Sequence, residues 1–261
     1  MSSTRFLKRW ISRAFLRPSH HYIPCRKEER VVGTPRGQLQ LWREYSHGGT
    51  ARPARIHFLR FLGSRGRAEM ATLDPADRLG DTASEVWTVN PPAFGGTTGP
   101  ADLERYADYA LAALEHVHRH AAGVPVWVCG KSIGTAAALL AAAHGGAAGA
   151  ILRNVMPLRE LLCRRYAWRT AGLSRLVLAP AVPKLLDCFA NAKRASVPAL
   201  FLVSREDRIS PPAYQREVVA AYGGAKTVLE VAGGHDERRL QPEDELAYAT
   251  ALRRLLPAGP S

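Results

Sequence analysis

Short apolar runs alternate with helical periodicities along most of this chain. IHFLRFLG (56–63), EVWTVN (85–90), VPVWVCG (124–130), AILRN (150–154), PALFLVS (198–204) and KTVLEV (226–231) each read as a strand, and QLQLWREY (38–45) as an earlier one. Between them, ADLERYADYALAALEHVHRHA (101–121) sets Leu103, Tyr106, Tyr109, Ala110, Leu114 and Val117 on one helical face. TAAALLAAAH (135–144), PPAYQREVVAAYG (211–223) and PEDELAYATALRRLL (242–256) also read as helices. Strands that alternate with helices predict a mostly parallel central sheet covered on both faces, the α/β class. The alternation lapses twice. Residues 18–37 read as irregular, and about 155–195 as a short helical insertion. The expected organisation is a basic amphipathic segment over 1–37 and an α/β domain over 38–261 that carries the insertion.

Residues 4–17 fit an amphipathic helix stopped by Pro18. Phe6, Leu7, Trp10, Ile11, Ala14 and Phe15 fall on one side, and Arg5, Lys8, Arg9 and Arg13 largely on the other. Such a helix suits an anionic membrane surface, with Trp10 and Phe15 at the acyl boundary. It equally suits packing on the domain with a solvated basic face. The Arg-rich, acid-free composition also fits a transit peptide, and no uninterrupted apolar core marks a secretory signal.

Length and composition narrow the class. At 261 residues with 46% apolar and 23% charged residues, the chain is large enough for one stable α/β core and is not disordered. The net charge of +13 is concentrated early, since residues 1–60 hold thirteen Lys/Arg against three Glu. Such asymmetry points to an anionic partner. Nucleic acid is not the expected one, because no binding motif or stacking platform accompanies the charge. RRYAWR (164–169) is a further basic run that could meet an anionic head group or simply face solvent. Cys25, Cys129, Cys163 and Cys188 form no C-x-x-C pair and read as thiols of a reducing compartment, so a cytoplasmic protein, soluble or peripheral to a membrane, is expected. No metal-binding motif and no P-loop is present.

The sharpest chemical signal is GKSIG, Gly130–Gly134, which matches G-x-S-x-G after a strand and before a helix. The flanking glycines leave room for a tight turn that projects Ser132 from the strand end. The helix N-terminus and the Ile133 N–H would face a developing oxyanion. A serine nucleophile needs a base, and the base needs an orienting acid. Asp207 follows PALFLVS and His235 follows KTVLEV, giving the order Ser, Asp, His at strand ends. Glu206 is the rival acid, and Asp236 a weaker one.

With FLGSRG, NPPAFGGTTG, VCGKSIGT, LVSREDRISP and GGHDE in place, the chain from about Ile56 onward resembles the α/β-hydrolase superfamily, closest to its small single-domain serine hydrolases. The resemblance implies a sheet of about eight strands and hydrolysis of an ester, thioester or amide of a small acyl substrate without a cofactor. By position it implies the Ser64 N–H as second oxyanion donor. Leu62 stands where the family carries His, with Gly63 retained. NPPAFGG resembles the Asp-x-x-Gly-x-Gly loop, with Asn90 for Asp and Ala93 for the first Gly, and is expected to border the pocket. Acyl transfer is a variant of the same chemistry. The reading from another class is a non-catalytic member used for binding or as a membrane scaffold.

Overall fold

The computed structural model describes residues 3–46, 52–167, 173–237 and 239–256. Its centre is one eight-stranded sheet. The strands are β1 (Glu28–Thr34), β2 (Gly37–Tyr45), β3 (Ile56–Phe61), β4 (Ser84–Val89), β5 (Val126–Lys131), β6 (Gly149–Arg153), β7 (Ala199–Ser204) and β8 (Lys226–Val231). They lie in the order β1-β2-β4-β3-β5-β6-β7-β8. The pairings of β2 with β1 and with β4 are antiparallel, and the rest are parallel.

The central strands are apolar on both sides, and successive residues divide between two cores. Val126 and Val128 of β5 join one core, while Trp127 and Cys129 join the other. Ala199 and Phe201 of β7 divide from Leu200 and Leu202 in the same way. On the first face pack α1 (Ser3–Phe15), α2 (Leu103–Ala121), α3 (Gly134–His144), α4 (Leu158–Arg165), α6 (Cys188–Arg194) and α7 (Pro212–Ala221). Helix α3 is built almost wholly of Ala and Leu and is buried all round, as its lack of a polar face requires. Helix α2 is amphipathic, and the Asp102 side chain caps it by accepting from the Arg105 N–H at 2.8 Å. The second face is thinner. Helix α8 (Pro242–Leu255) covers it with Leu73, Ala76 and Leu79 from the β3–β4 connection, where two 3-10 turns stand in place of a long helix.

Two expectations need correction. Residues 18–37 contain β1, which pairs along the whole of its length with β2, so the sheet begins at Glu28 rather than after residue 37. β1 is an edge strand with one neighbour. Its sequence EERVVGT therefore carries few apolar residues, and Val31 stays exposed. Over 155–195 the described elements are short helices, including α5 (Ser174–Val177), as expected. However, α6 packs against α3 and α7 and so belongs to the layer over the sheet. Part of the RRYAWR run, Trp168 and Arg169, lies outside the described residues.

Helix α1 docks on the domain. Ile11 and Leu16 are fully buried, Ser12 Oγ accepts from the Leu103 N–H at the start of α2, and Lys8 pairs with Glu104 at 2.6 Å. The chain then passes over the carboxyl end of the sheet, where the Arg17 N–H donates to the Ser64 carbonyl at 3.0 Å. No described helix is long and apolar enough to cross a membrane.

Candidate active site

The turn between β5 and α3 holds Ser132 at φ +56°, a left-handed conformation that a non-glycine residue adopts only when its surroundings impose it. The turn is fixed on both sides. The Ser132 N–H donates to the Arg153 carbonyl at 3.0 Å, and its carbonyl accepts from Thr135 N at 2.9 Å and Thr135 Oγ1 at 2.5 Å. The flanking glycines are required by close approach. A Cβ on Gly134 would collide with the Phe61 carbonyl oxygen at the end of β3, and one on Gly130 would lie 2.6 Å from Thr135 Cα.

β7 and β8 bring the other two residues to the same edge of the sheet. His235 Nε2 lies 2.7 Å from Ser132 Oγ, and His235 Nδ1 lies 2.7 Å from Asp207 Oδ2. All three residues are buried. An ionised carboxylate only accepts, so Nδ1 carries the proton of the neutral ring and leaves Nε2 to accept from the serine hydroxyl. Asp207 is held by four groups. Its Oδ1 accepts from the Ile209 and Ser210 N–H groups at 2.9 and 2.8 Å, and Oδ2 accepts from Gln215 Nε2 at 3.0 Å as well as from the imidazole. Glu206 and Asp236, the alternative acids, are both exposed, and the hydrogen bond to the imidazole Nδ1 is made by Asp207.

Ile133 follows Ser132 directly at the start of α3, where backbone N–H groups lack helical partners. Ser64 lies in the loop after β3. Gly63 in that loop borders the serine, since a Cβ built on it would be 3.5 Å from Ser132 Cβ. The loop is braced by a buried polar network. Arg67 and Glu69 form an ion pair with both side chains 4% exposed. Asn90 Oδ1 accepts from the Ala68 N–H at 2.9 Å, while Nδ2 donates to Gln40 Oε1 and Glu69 Oε2. Arg67 also donates to the Ser19 and His21 carbonyls, tying in the segment after α1. Burial by itself raises the Glu69 carboxyl. Hydrogen bonds from Arg67, its own backbone and Asn90 outweigh that and hold it below the ordinary carboxylate value. Asn90 therefore braces the loop after β3.

Sequence reading missed several supporting residues. Asn154, at φ +54° after β6, donates from Nδ2 to the His235 carbonyl at 3.2 Å and accepts the Ser204 N–H on Oδ1 at 3.1 Å. It thus links the strand before Asp207 to the loop that carries His235. Lys131 Nζ and Arg153 Nη2 both reach the Glu237 carbonyl, at 3.2 and 2.9 Å, and hold the same loop from the other side. Gln215 and Ser210 support Asp207 from α7 and the turn before it. An Asn at a strand end and a Gln in a helix belong to no motif. The one available signal was their place beside the strand ends that already held candidates.

A cleft of about 650 Å³ opens beside the histidine loop, lined by Gly234, Asp236, Glu237 and Arg239. A second, of about 660 Å³, lies between the β1–β2 turn and α2 with its neighbours, lined by Arg36, Asp108, Leu111, His118 and His144 among others, and contains none of the three residues. Among the described residues no group of three His, Cys, Asp or Glu is placed to hold a metal.

No protein-family model matches the sequence, and no curated protein matches it. Solved structures do. An esterase from Pyrococcus furiosus aligns with a TM-score of 0.66 at 13% identity, covering 91% of this chain and 96% of its own. An α/β serine hydrolase without lid from Xanthomonas campestris gives 0.63 at 18%, covering 92% and 100%. An acetyl xylan esterase from Paenibacillus sp. R4 gives 0.64 at 16%, covering 97% and 94%. Likeness at these identities is a likeness of fold, and the chain has the α/β-hydrolase fold.

Proposed function

We propose that this α/β-hydrolase-fold protein is a serine hydrolase that cleaves a carboxylic ester or thioester of a small acyl substrate. The observation that carries the reading is the unbroken hydrogen-bonded chain from Ser132 Oγ through His235 to Asp207. Ser132 attacks the substrate carbonyl as His235 Nε2 takes its proton. The N–H groups of Ile133 and Ser64 receive the oxyanion of the tetrahedral intermediate. Its collapse expels the alcohol or thiol, which takes the proton from the imidazolium, and leaves an acyl-enzyme on Ser132. Water, activated by His235, then releases the acid. Asp207 holds the ring in the tautomer that this sequence needs and stabilises the imidazolium. The esterases and hydrolase among the structural neighbours support the same reaction class.

The expected result is turnover of p-nitrophenyl acyl esters or acyl thioesters by the full chain, with a preference along a series of acyl lengths. Ser132→Ala should lower kcat by about 10³-fold or more. A folded wild-type protein inert toward every ester and thioester of the series would favour the non-catalytic reading.

A further inference from the structure

Helix α1 buries only part of its apolar surface. Leu7, Ile11 and Phe15 turn toward the domain, but Phe6 is 71% and Trp10 47% exposed. These two lie four residues apart, on neighbouring turns of one face. Arg9 and Arg13 border them, with Arg5 beyond, and all three are exposed. The insertion lies alongside α1. The Trp10 ring meets that of Tyr166 edge-on at 6.4 Å, α1 packs on the 3-10 turn Ala179–Ala181, and that turn packs on α5. Beside it Leu173 and Leu176 are exposed, Leu176 by 74%. The charge is of one sign. Residues 1–27 hold seven Lys/Arg and no Asp or Glu. The one ion pair from α1 among the described residues is that of Lys8, on the docked side.

We infer that this face docks the protein on an anionic phospholipid bilayer. Phe6, Trp10 and Leu176 enter the acyl boundary, while Arg5, Arg9 and Arg13 meet lipid phosphates. A bilayer supplies both an apolar layer and negative charge, which the patch requires together. A second copy of the chain fits less well, because a two-fold contact would set one arginine stripe against the other. The Arg17–Ser64 hydrogen bond joins the segment just after α1 to the loop that borders Ser132. The inference does not depend on hydrolysis, since it rests on exposure and charge alone.

Co-sedimentation with vesicles tests it, using the full chain and Ser132→Ala in parallel so that loss of activity cannot mimic loss of binding. Phosphatidylcholine vesicles containing phosphatidylglycerol should carry both proteins down, and pure phosphatidylcholine should carry far less. Arg5→Gln/Arg9→Gln/Arg13→Gln should weaken binding by about fivefold per charge, on the order of 100-fold together. Phe6→Ser/Trp10→Ser should weaken it several-fold, and Phe6→Ser alone, at a side chain 71% exposed, should weaken it with a nearly unchanged urea midpoint. Equal binding to both vesicle types, no binding to either, or variants that sediment like the parent would overturn the inference. So would a concentration-dependent dimer, seen by analytical ultracentrifugation, that the serine pair abolishes while no vesicle binding occurs. That result would give the patch to a second copy.

Discussion

Ser132 and His235 meet across 103 positions of sequence because both end parallel strands at the same edge of one sheet. That is why the three positions that meet were legible: a strand–turn–helix around Ser132, and an acid and a histidine in chain order after later strands. Their supports were not. Asn154 acts on His235 from 81 positions away through a backbone carbonyl, and nothing in AILRN marks it. Two variants separate its roles. Asn154→Ala loses the side chain and strains a left-handed backbone, whereas Asn154→Gly keeps the backbone conformation. Both leave the buried Ser204 N–H unpaired, so each should destabilise by about 1–3 kcal/mol in urea unfolding, alanine the more. As Asn154 positions the histidine loop, both should lower kcat with little change in KM. Asp207→Asn should fold and lose about 10⁴-fold in kcat, because an amide no longer enforces the productive imidazole tautomer.

At the scale of elements, the loop after β3 depends on contacts that no local pattern reveals. The Arg67–Glu69 pair with Asn90 and Gln40 joins it to β2, to the β4 end and to the segment after α1. The Glu69 carboxyl is depressed in the folded protein, so its contribution to stability is complete above the ordinary unfolded value, about 4.3. It is lost as the pH falls through the depressed value. Unfolding free energy measured from about pH 6 downward, where carboxyl groups start almost fully ionised, should therefore fall more steeply below about 4.3 in the wild type than in Glu69→Gln. The elbow is equally exacting. Gly134→Ala should destabilise by about 3 kcal/mol or more, since the new methyl meets backbone rather than a side chain that can rotate away. Strands and helices of the core were legible because both strand faces and long helical faces are apolar. β1 was not, because an edge strand buries little, and its hairpin signal, Pro35-Arg36 before Gly37 at φ +126°, is a turn cue rather than an apolar one.

Across the whole molecule, the sequence left open whether the first helix packs on the domain or stays available to a partner. The structure divides the helix between the two, with Ile11 and Leu16 buried and Phe6 and Trp10 exposed. No sequence pattern could make that division, because Phe6, Trp10 and Ile11 are all apolar residues of one amphipathic repeat. Removing residues 1–17 would withdraw two fully buried side chains, each contributing about 1.5–3 kcal/mol, and the Arg17 bond to the loop after β3. The truncated protein should show a lower urea midpoint, and its activity should fall even in the absence of lipid. Exposed-residue variants therefore probe the proposed membrane face more cleanly than truncation.

The hydrolase proposal stands on Ser132 as a nucleophile activated by His235. Labelling with a fluorophosphonate probe, read by intact mass, tests it most directly because it needs no knowledge of the substrate. Wild type should gain one adduct, mapped by proteolysis to the peptide containing Ser132, while Ser132→Ala should gain none and His235→Ala should react orders of magnitude more slowly. A well-folded wild type that stays unmodified, or an adduct that persists in Ser132→Ala, would contradict the account.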